Sequence, residues 1–296
     1  MKKGWKKIIN NLVIESLNYL NSYDLNGFCP IFFNEKKIGY INEKNYNFLF
    51  SKGFFEEGNI NIDNILSRNT YFFDEVFEFL INHNYLITEL REKCPVFDQD
   101  CTKPRTKFSH NTKFGLNEVF SVERALLSIF GFPAYGVHMN GWKIKKGGFQ
   151  FLMAKRSKNV RNFMGLYDNL VGGGQPSEIS IIENLKKESL EEANIDNHQL
   201  SNVKFSTPIK YLHTQNNNFS PAVIFSYDLE ISNFNSIKNN DGEIESFHFF
   251  STSEIFDLLG KKLVKPNCIL PILDFLVKRK KELFSNKTIN EIKKLI

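Results

Sequence analysis

Three carboxylates close together are the first residues in this chain that could do chemistry. Glu188, Glu191 and Glu192 stand at i, i+3 and i+4, so on a helix they share one side. Like charges at that spacing repel one another. Oxygen-only ligands gathered in this way suit a hard divalent cation, magnesium or manganese. The competing reading is a solvated acidic face balanced by Lys186 and Lys187. Upstream, Gly172, Gly173 and Gly174 allow close backbone approach and expose carbonyls beside the start of the helix.

The element carrying these groups is legible. Ser180 followed by Glu183 fits a capping box, which starts the helix. Ile182, Leu185, Ser189 and Ala193 fall on one side and can face a core. Asn194 suits a helix end, because asparagine tolerates the left-handed conformation.

With those residues in view, the stretch resembles a Nudix box: Gly, five residues, Glu, seven residues, then Arg-Glu-U-x-Glu-Glu-x-Gly-U, with U bulky and apolar. Gly173 aligns with the opening glycine, and Lys187 to Ile195 matches the second half. Four positions depart. Ile179 stands where the first Glu belongs, with Glu178 one residue early; Lys187 replaces Arg, Ser189 an apolar residue, and Asn194 Gly. Lysine keeps the charge but loses the planar two-pronged donor. The missing Glu puts one metal contact in doubt, to be supplied by water or by Glu178, Glu243 or Glu245.

The flanks resemble one Nudix branch, the domain fused to fungal thiamine pyrophosphokinases, with yeast and plant relatives and its own N-terminal domain. The matching segments include Val122-Glu123-Arg124-Ala125, Tyr135 to Gly141, Ala154-Lys155-Arg156-Ser157, Asp168-Asn169, Asp241 to Phe247 and Lys265-Pro266-Asn267-Cys268. The resemblance implies an α/β fold, a Nudix α/β/α sandwich with a mixed sheet, preceded by a smaller α+β domain. It implies metal-dependent hydrolysis of thiamine diphosphate, or of its oxidised or damaged forms, to the monophosphate and orthophosphate. Glu188, Glu191 and Glu192 would hold magnesium or manganese with the Gly172 carbonyl, and Glu188 would activate water. The enzyme alternative is a phosphatase for nucleoside diphosphates of oxidised guanine. A catalytically weak ligand-binding or regulatory module is the alternative of another class. The retained glutamates argue against it, since a dead site has no need of like-charge crowding.

Outside the box, Glu243 and Glu245 are candidates for a further metal carboxylate, with surface pairing as the alternative. Lys155 and Arg156 end a strand and read either as a solvated basic cluster or as contacts to substrate phosphate. His138 shares a strand face with Asn140 and Trp142 and reads as a structural histidine, because no second metal-type residue lies beside it in sequence.

The chain of 296 residues has room for one large or two ordinary domains, and at 42% hydrophobic it can bury a sizeable core. Gly131, Pro133 and the strand from Tyr135 mark a boundary near residue 133; with the resemblance this implies an N-terminal α+β domain at 1–133, a Nudix hydrolase domain at 134–284 and a C-terminal tail at 285–296. The start is basic, but Asn10, Asn11 and Glu15 break the apolar run; an amphipathic helix with Ile9, Leu12, Val13, Leu17 and Leu20 is expected. Two strands around Asn34-Glu35-Lys36 predict a hairpin, and Phe72, Val76, Phe79 and Leu80 a helix. Leu86 to Phe97 reads as extended, 98–113 as a linker or crossing loop, Glu118 to Phe130 as one helix, Gly147-Gly148 as a hairpin turn and 216–218 as a mobile loop.

The net charge of +5 is mild and fits small anions as well as nucleic acid. No aromatic-basic signature points to a nucleic-acid polymer; the expected partner is a small diphosphate. Cys29, Cys94, Cys101 and Cys268 form no CxxC pair and read as reduced thiols of a cytoplasmic protein. No apolar run approaches the ~20 residues of a membrane span. Oligomeric state is not legible.

Overall fold

A computed structural model of the chain describes residues 3–86, 91–146, 148–231 and 236–296. Two expectations fall partly elsewhere: residues 87–90 of the extended segment and Gly147 of the glycine turn lie outside the described residues.

The N-terminal unit begins after helix α1 (Lys3–Leu20). It contains β1 (Phe28–Phe33), β2 (Lys36–Asn42), α2 (Glu43–Phe50), β3 (Ile60–Asn61), α3 (Ile62–Arg68), α4 (Phe72–Asn82), β4 (Lys93–Val96), β5 (Phe120–Glu123) and α5 (Arg124–Phe130). The hairpin turns on Asn34 and Glu35, both at positive φ. Helices α4 and α5 bury Phe72, Phe73, Val76, Phe77, Leu126, Leu127 and Phe130 into one core with the strands. The helix expected over Glu118 to Phe130 starts only at Arg124. Residues 120–123 instead pair with β4, and Phe120 stacks on Phe73, so tertiary pairing overrides helical propensity.

The larger unit holds β6 (Ala134–Lys145), β7 (Gly148–Arg156), β8 (Tyr167–Asp168), β9 (Val171–Gly174), α6 (Ile181–Ala193), β10 (Lys204–Gln215), β11 (Asn218–Glu230), β12 (Ile244–Ser251), α7 (Thr252–Gly260), α8 (Ile269–Arg279) and α9 (Asn286–Lys293). Its sheet runs β10-β11-β6-β7-β12, with β9 on β6 and β8 on β7. The β11–β6 pair is parallel and the others are antiparallel, so the sheet is mixed. Alternate residues serve opposite layers. Val223 and Phe225 face α6 through Ile181, Leu185 and Ala193. Ile224, Phe151 and Met153 face α8 through Ile272, Leu273 and Phe275. The result is the expected α/β/α sandwich.

The packing redraws two of the expected boundaries. Ile9, Val13, Leu17 and Leu20 of α1 are buried with Phe256 and Leu276 in the core of the larger unit, so the first helix does not belong to the N-terminal unit. Residues 286–293 are α9, which buries Ile289 and Ile292 in the same core and is not a tail. The amphipathic stripe of each helix requires a partner, and the sandwich supplies it. Asn216 and Asn217 form a tight turn at positive φ, and Asn218 accepts hydrogen bonds from Asn42 and Asn45. The segment expected as a mobile loop is therefore a hairpin turn docked on the N-terminal unit.

Candidate active site

Strand β9 and helix α6 build the floor of the site. β9 lies antiparallel on β6, with Gly172 opposite His138 and Gly174 opposite Gly136. A Cβ on Gly173 would stand 2.1 Å from the Glu188 carboxyl carbon, and one on Gly174 would stand 2.3 Å from an Arg124 guanidinium nitrogen. Glycine is needed there because both side chains lie flat on the strand. Helix α6 starts with the capping box: the Glu183 N–H donates to Ser180 Oγ at 3.2 Å, and the Ser180 N–H donates to the Glu183 carboxylate at 2.8 Å. Asn194 ends it at φ 53°.

These constraints aim Glu188 and Glu192 into a cavity of about 330 Å³, lined also by Gly172, Arg124, Arg156, Glu243 and Lys265. Glu192 is 4% exposed. One of its oxygens accepts the Gly172 N–H at 2.8 Å. Burial pushes its carboxyl well above the usual 4.5, and the nearby Asp168 charge adds to the rise. Burial also raises Glu188, against the opposing pull of Lys187. Buried Glu192 and half-buried Glu188, the latter paired with Lys187 at 3.2 Å, are hard oxygen donors of the kind a divalent cation accepts.

Beside them lies a buried ionic network. The Lys265 ammonium donates to Asp168 at 2.8 Å, and Arg156 approaches the same oxygen at 3.5 Å. The Cys268 thiol donates to the other oxygen at 2.6 Å. Burial would raise Asp168, but Lys265 and its other partners outweigh it and hold the carboxyl well below the usual range. The same ion pair keeps Lys265 protonated despite burial. His138 Nδ1 bonds Asn169 at 2.8 Å, and burial lowers its pKa to about 4. His138, Asp168 and Cys268 place possible ligand atoms within 4.8 Å of one another. The absence of metal-type neighbours inferred from sequence is thus corrected by the fold, although Asp168 is already matched by Lys265 and Arg156 and His138 keeps a hydrogen-bonded structural role.

Comparison with known proteins settles the family. No family model matches the chain. Nudix hydrolase 24, chloroplastic, of Arabidopsis thaliana is 30% identical over 263 residues, covering 85% of this chain and 68% of that protein. The chain belongs to the Nudix hydrolase family. Nudix hydrolase 20, chloroplastic, from the same plant is 39% identical over 158 residues. An uncharacterized protein of Saccharomyces cerevisiae is 36% identical over 171 residues. Each of these two matches takes in 53% of this chain, and the chain spans only 42% of the plant protein and 50% of the yeast protein. Among solved structures, a Deinococcus radiodurans protein superposes with a TM-score of 0.41 at 18% identity, over 57% of this chain and 95% of that chain.

Around this cavity the expected residues part company. Glu188, Glu192 and Gly172 line the cavity, as do Arg156 and Glu243. Glu191 does not line it: its carboxylate pairs with Lys187 at 3.2 Å, half exposed. Glu245 and Lys155 pair with each other at 2.8 Å, away from the cavity. The reason is a register shift in β12 between Ile244 and Ser246, a bulge at Glu245 that breaks the alternation expected to send Glu243 and Glu245 the same way. Glu178 turns to Lys113 at 2.7 Å and does not line the cavity. Sequence reasoning assigned no role to Arg124, Asp168 or Lys265; their only signal was membership of the flanking motifs. Among the described residues no helix is long and apolar enough to cross a membrane.

Proposed function

We propose that this chain is a divalent-metal-dependent hydrolase of organic diphosphates, acting on thiamine diphosphate or its oxidised or damaged forms. The observation that carries the reading is the juxtaposition of half-buried Glu188 and buried Glu192 with Arg124, Arg156 and Lys265 around one cavity. Acidic groups for a cation and basic groups for phosphate oxygens belong together in phosphoryl-transfer chemistry. Glu188, Glu192 and the Gly172 carbonyl would hold magnesium or manganese, with Glu191 joining if it releases Lys187. A bound cation of this kind neutralises phosphate oxygens and acidifies water.

Water oxygen forms the new bond to the terminal phosphorus, the anhydride P–O bond breaks, and the monophosphate departs with the bridging oxygen. The proton lost by water goes to Glu188, which lines the cavity beside Glu192. Arg156, held by Asp168 and Glu243, presents donors to phosphate oxygens at the far wall. Phe163 and Tyr211 also line the cavity and supply aromatic surface for an organic head group.

The test is a screen of diphosphates with magnesium, including thiamine diphosphate, its oxidised forms and 8-oxo-dGDP, read by product mass and orthophosphate. Thiamine-type turnover to the monophosphate is expected. Preference for 8-oxo-dGDP would replace the substrate, and no orthophosphate from any compound would leave a binding module.

A further inference from the structure

Arg124 is the first residue of α5, and α5 is anchored in the N-terminal core by Leu126, Leu127, Ile129 and Phe130. Its backbone N–H donates to the Glu92 carbonyl at 2.9 Å, and its guanidinium pairs with the Glu92 carboxylate. From there the guanidinium crosses Gly174 and enters the cavity that holds Glu188 and Glu192. The three cations lining that cavity are not equally engaged. Arg156 donates to the Asn162 carbonyl and faces Asp168 and Glu243, with its side chain 11% exposed. Lys265 is committed to Asp168 and its side chain is 15% exposed. Arg124 pairs with Glu92 and its charge also acts on Glu188, but its side chain is 36% exposed and its Nε has no hydrogen-bond partner among the described residues.

We propose that Arg124 grips the substrate's diphosphate, so that the N-terminal unit is a working wall of the active site. The inference rests on the hydrolase reading above and extends it to the unit for which sequence assigned no role. A guanidinium held at one edge by Glu92 keeps its other donors in a fixed fork, the geometry that two phosphate oxygens accept. Gly174 lacks a side chain at the point where the fork passes, and Glu92 fixes the approach. The unit therefore contributes to the cavity a preorganised cation that is more exposed than Arg156 or Lys265.

The test uses the full chain with methylenediphosphonate, a diphosphate that cannot be hydrolysed, titrated by calorimetry in the presence of manganese. Arg124→Ala should weaken binding by about tenfold or more, the usual cost of losing a charge-assisted contact. Manganese binding without the diphosphonate should not weaken, since the lost charge stood beside Glu188. Arg124→Lys keeps a charge for Glu92 but loses the fork, so it should also lose affinity, with a melting temperature near that of the parent. That second variant decides the matter if Arg124→Ala does not fold. Wild-type affinity in either folded variant, or no binding of the probe by the parent protein, would overturn the proposal. Diphosphate hydrolysis with unchanged KM and kcat in Arg124→Lys would overturn it while leaving the hydrolase reading intact. Arg124-dependent binding without hydrolysis of any diphosphate would support it and sink the hydrolase reading alone.

Discussion

The carboxylate of Glu192 accepts the backbone N–H of Gly172 at 2.8 Å, across twenty positions of sequence. That bond ties the last turns of α6 to the glycine strand and fixes one carboxylate of the cavity. It is a single hydrogen bond on a side chain 4% exposed, so the group is poorly compensated when ionised.

Glu192→Gln keeps the shape and the bond to Gly172 but removes the charge. Activity with magnesium should fall at least ~100-fold in kcat. Wild-type turnover in this variant would reject the site.

The same substitution carries a stability signature of opposite sign. Burial raises the folded-state pKa of Glu192 above 4.5, so the folded chain holds a proton that the unfolded chain has released. The resulting penalty is absent at pH below the ordinary carboxyl value and grows as pH rises above it. In chelator at neutral pH, Glu192→Gln should therefore melt higher than the parent, with the gap closing toward pH 4. A lower melting temperature at pH 7 would show that this carboxylate is compensated.

Magnesium or manganese should restore activity after chelation, since carboxylates and a carbonyl are hard donors. Both ions should also raise the melting temperature of the parent and leave that of Glu192→Gln nearly unmoved. Activity that survives excess chelator would contradict the donor set.

Gly173→Ala places a methyl group 2.1 Å from the Glu188 carboxyl carbon. Glu188 is a flexible side chain and can swing aside, so the fold should persist while the site deforms. A loss of roughly 100-fold in kcat, with the melting temperature little changed, is the expected outcome. An unfolded variant would mean that the strand itself cannot take a side chain.

Lys155 and Arg156 are adjacent, and only Arg156 faces the cavity. Lys155→Ala should leave turnover within about twofold, because its partner Glu245 is exposed and such pairs contribute little. Arg156→Ala should cost about tenfold or more in kcat/KM. Equal effects from the two would place the phosphate wall elsewhere.

Much of this was legible in the chain. The capping box at Ser180 and Glu183, the stop at Asn194 and the shared side of Glu188 and Glu192 depend on contacts within four residues, and local geometry alone decides them. The strand alternation that buries Phe225 toward one layer and Ile224 toward the other is equally local. Glu191 is the instructive exception. It sits beside Glu192 on the helix, yet the 100° turn between neighbours carries it away from the cavity and onto Lys187.

What the tertiary structure decided are the groups that arrive from far away in sequence. Asp168 meets Lys265 across 97 residues, and Cys268 meets His138 across 130. Arg124 reaches Gly174 and Glu188 from a separate core. The bulge at Glu245 sends it to Lys155 and leaves Glu243 at the cavity. Helices α1 and α9 join the sandwich from opposite ends of the chain. Sequence periodicity specifies which side of an element is apolar, but not which other element covers it. Ion pairing adds a second ambiguity: any of the scattered lysines could balance a given carboxylate until packing brings one within reach and excludes water from the pair. The carboxylates of the cavity were therefore readable from a single helix, whereas its basic wall existed only once two cores had closed on it.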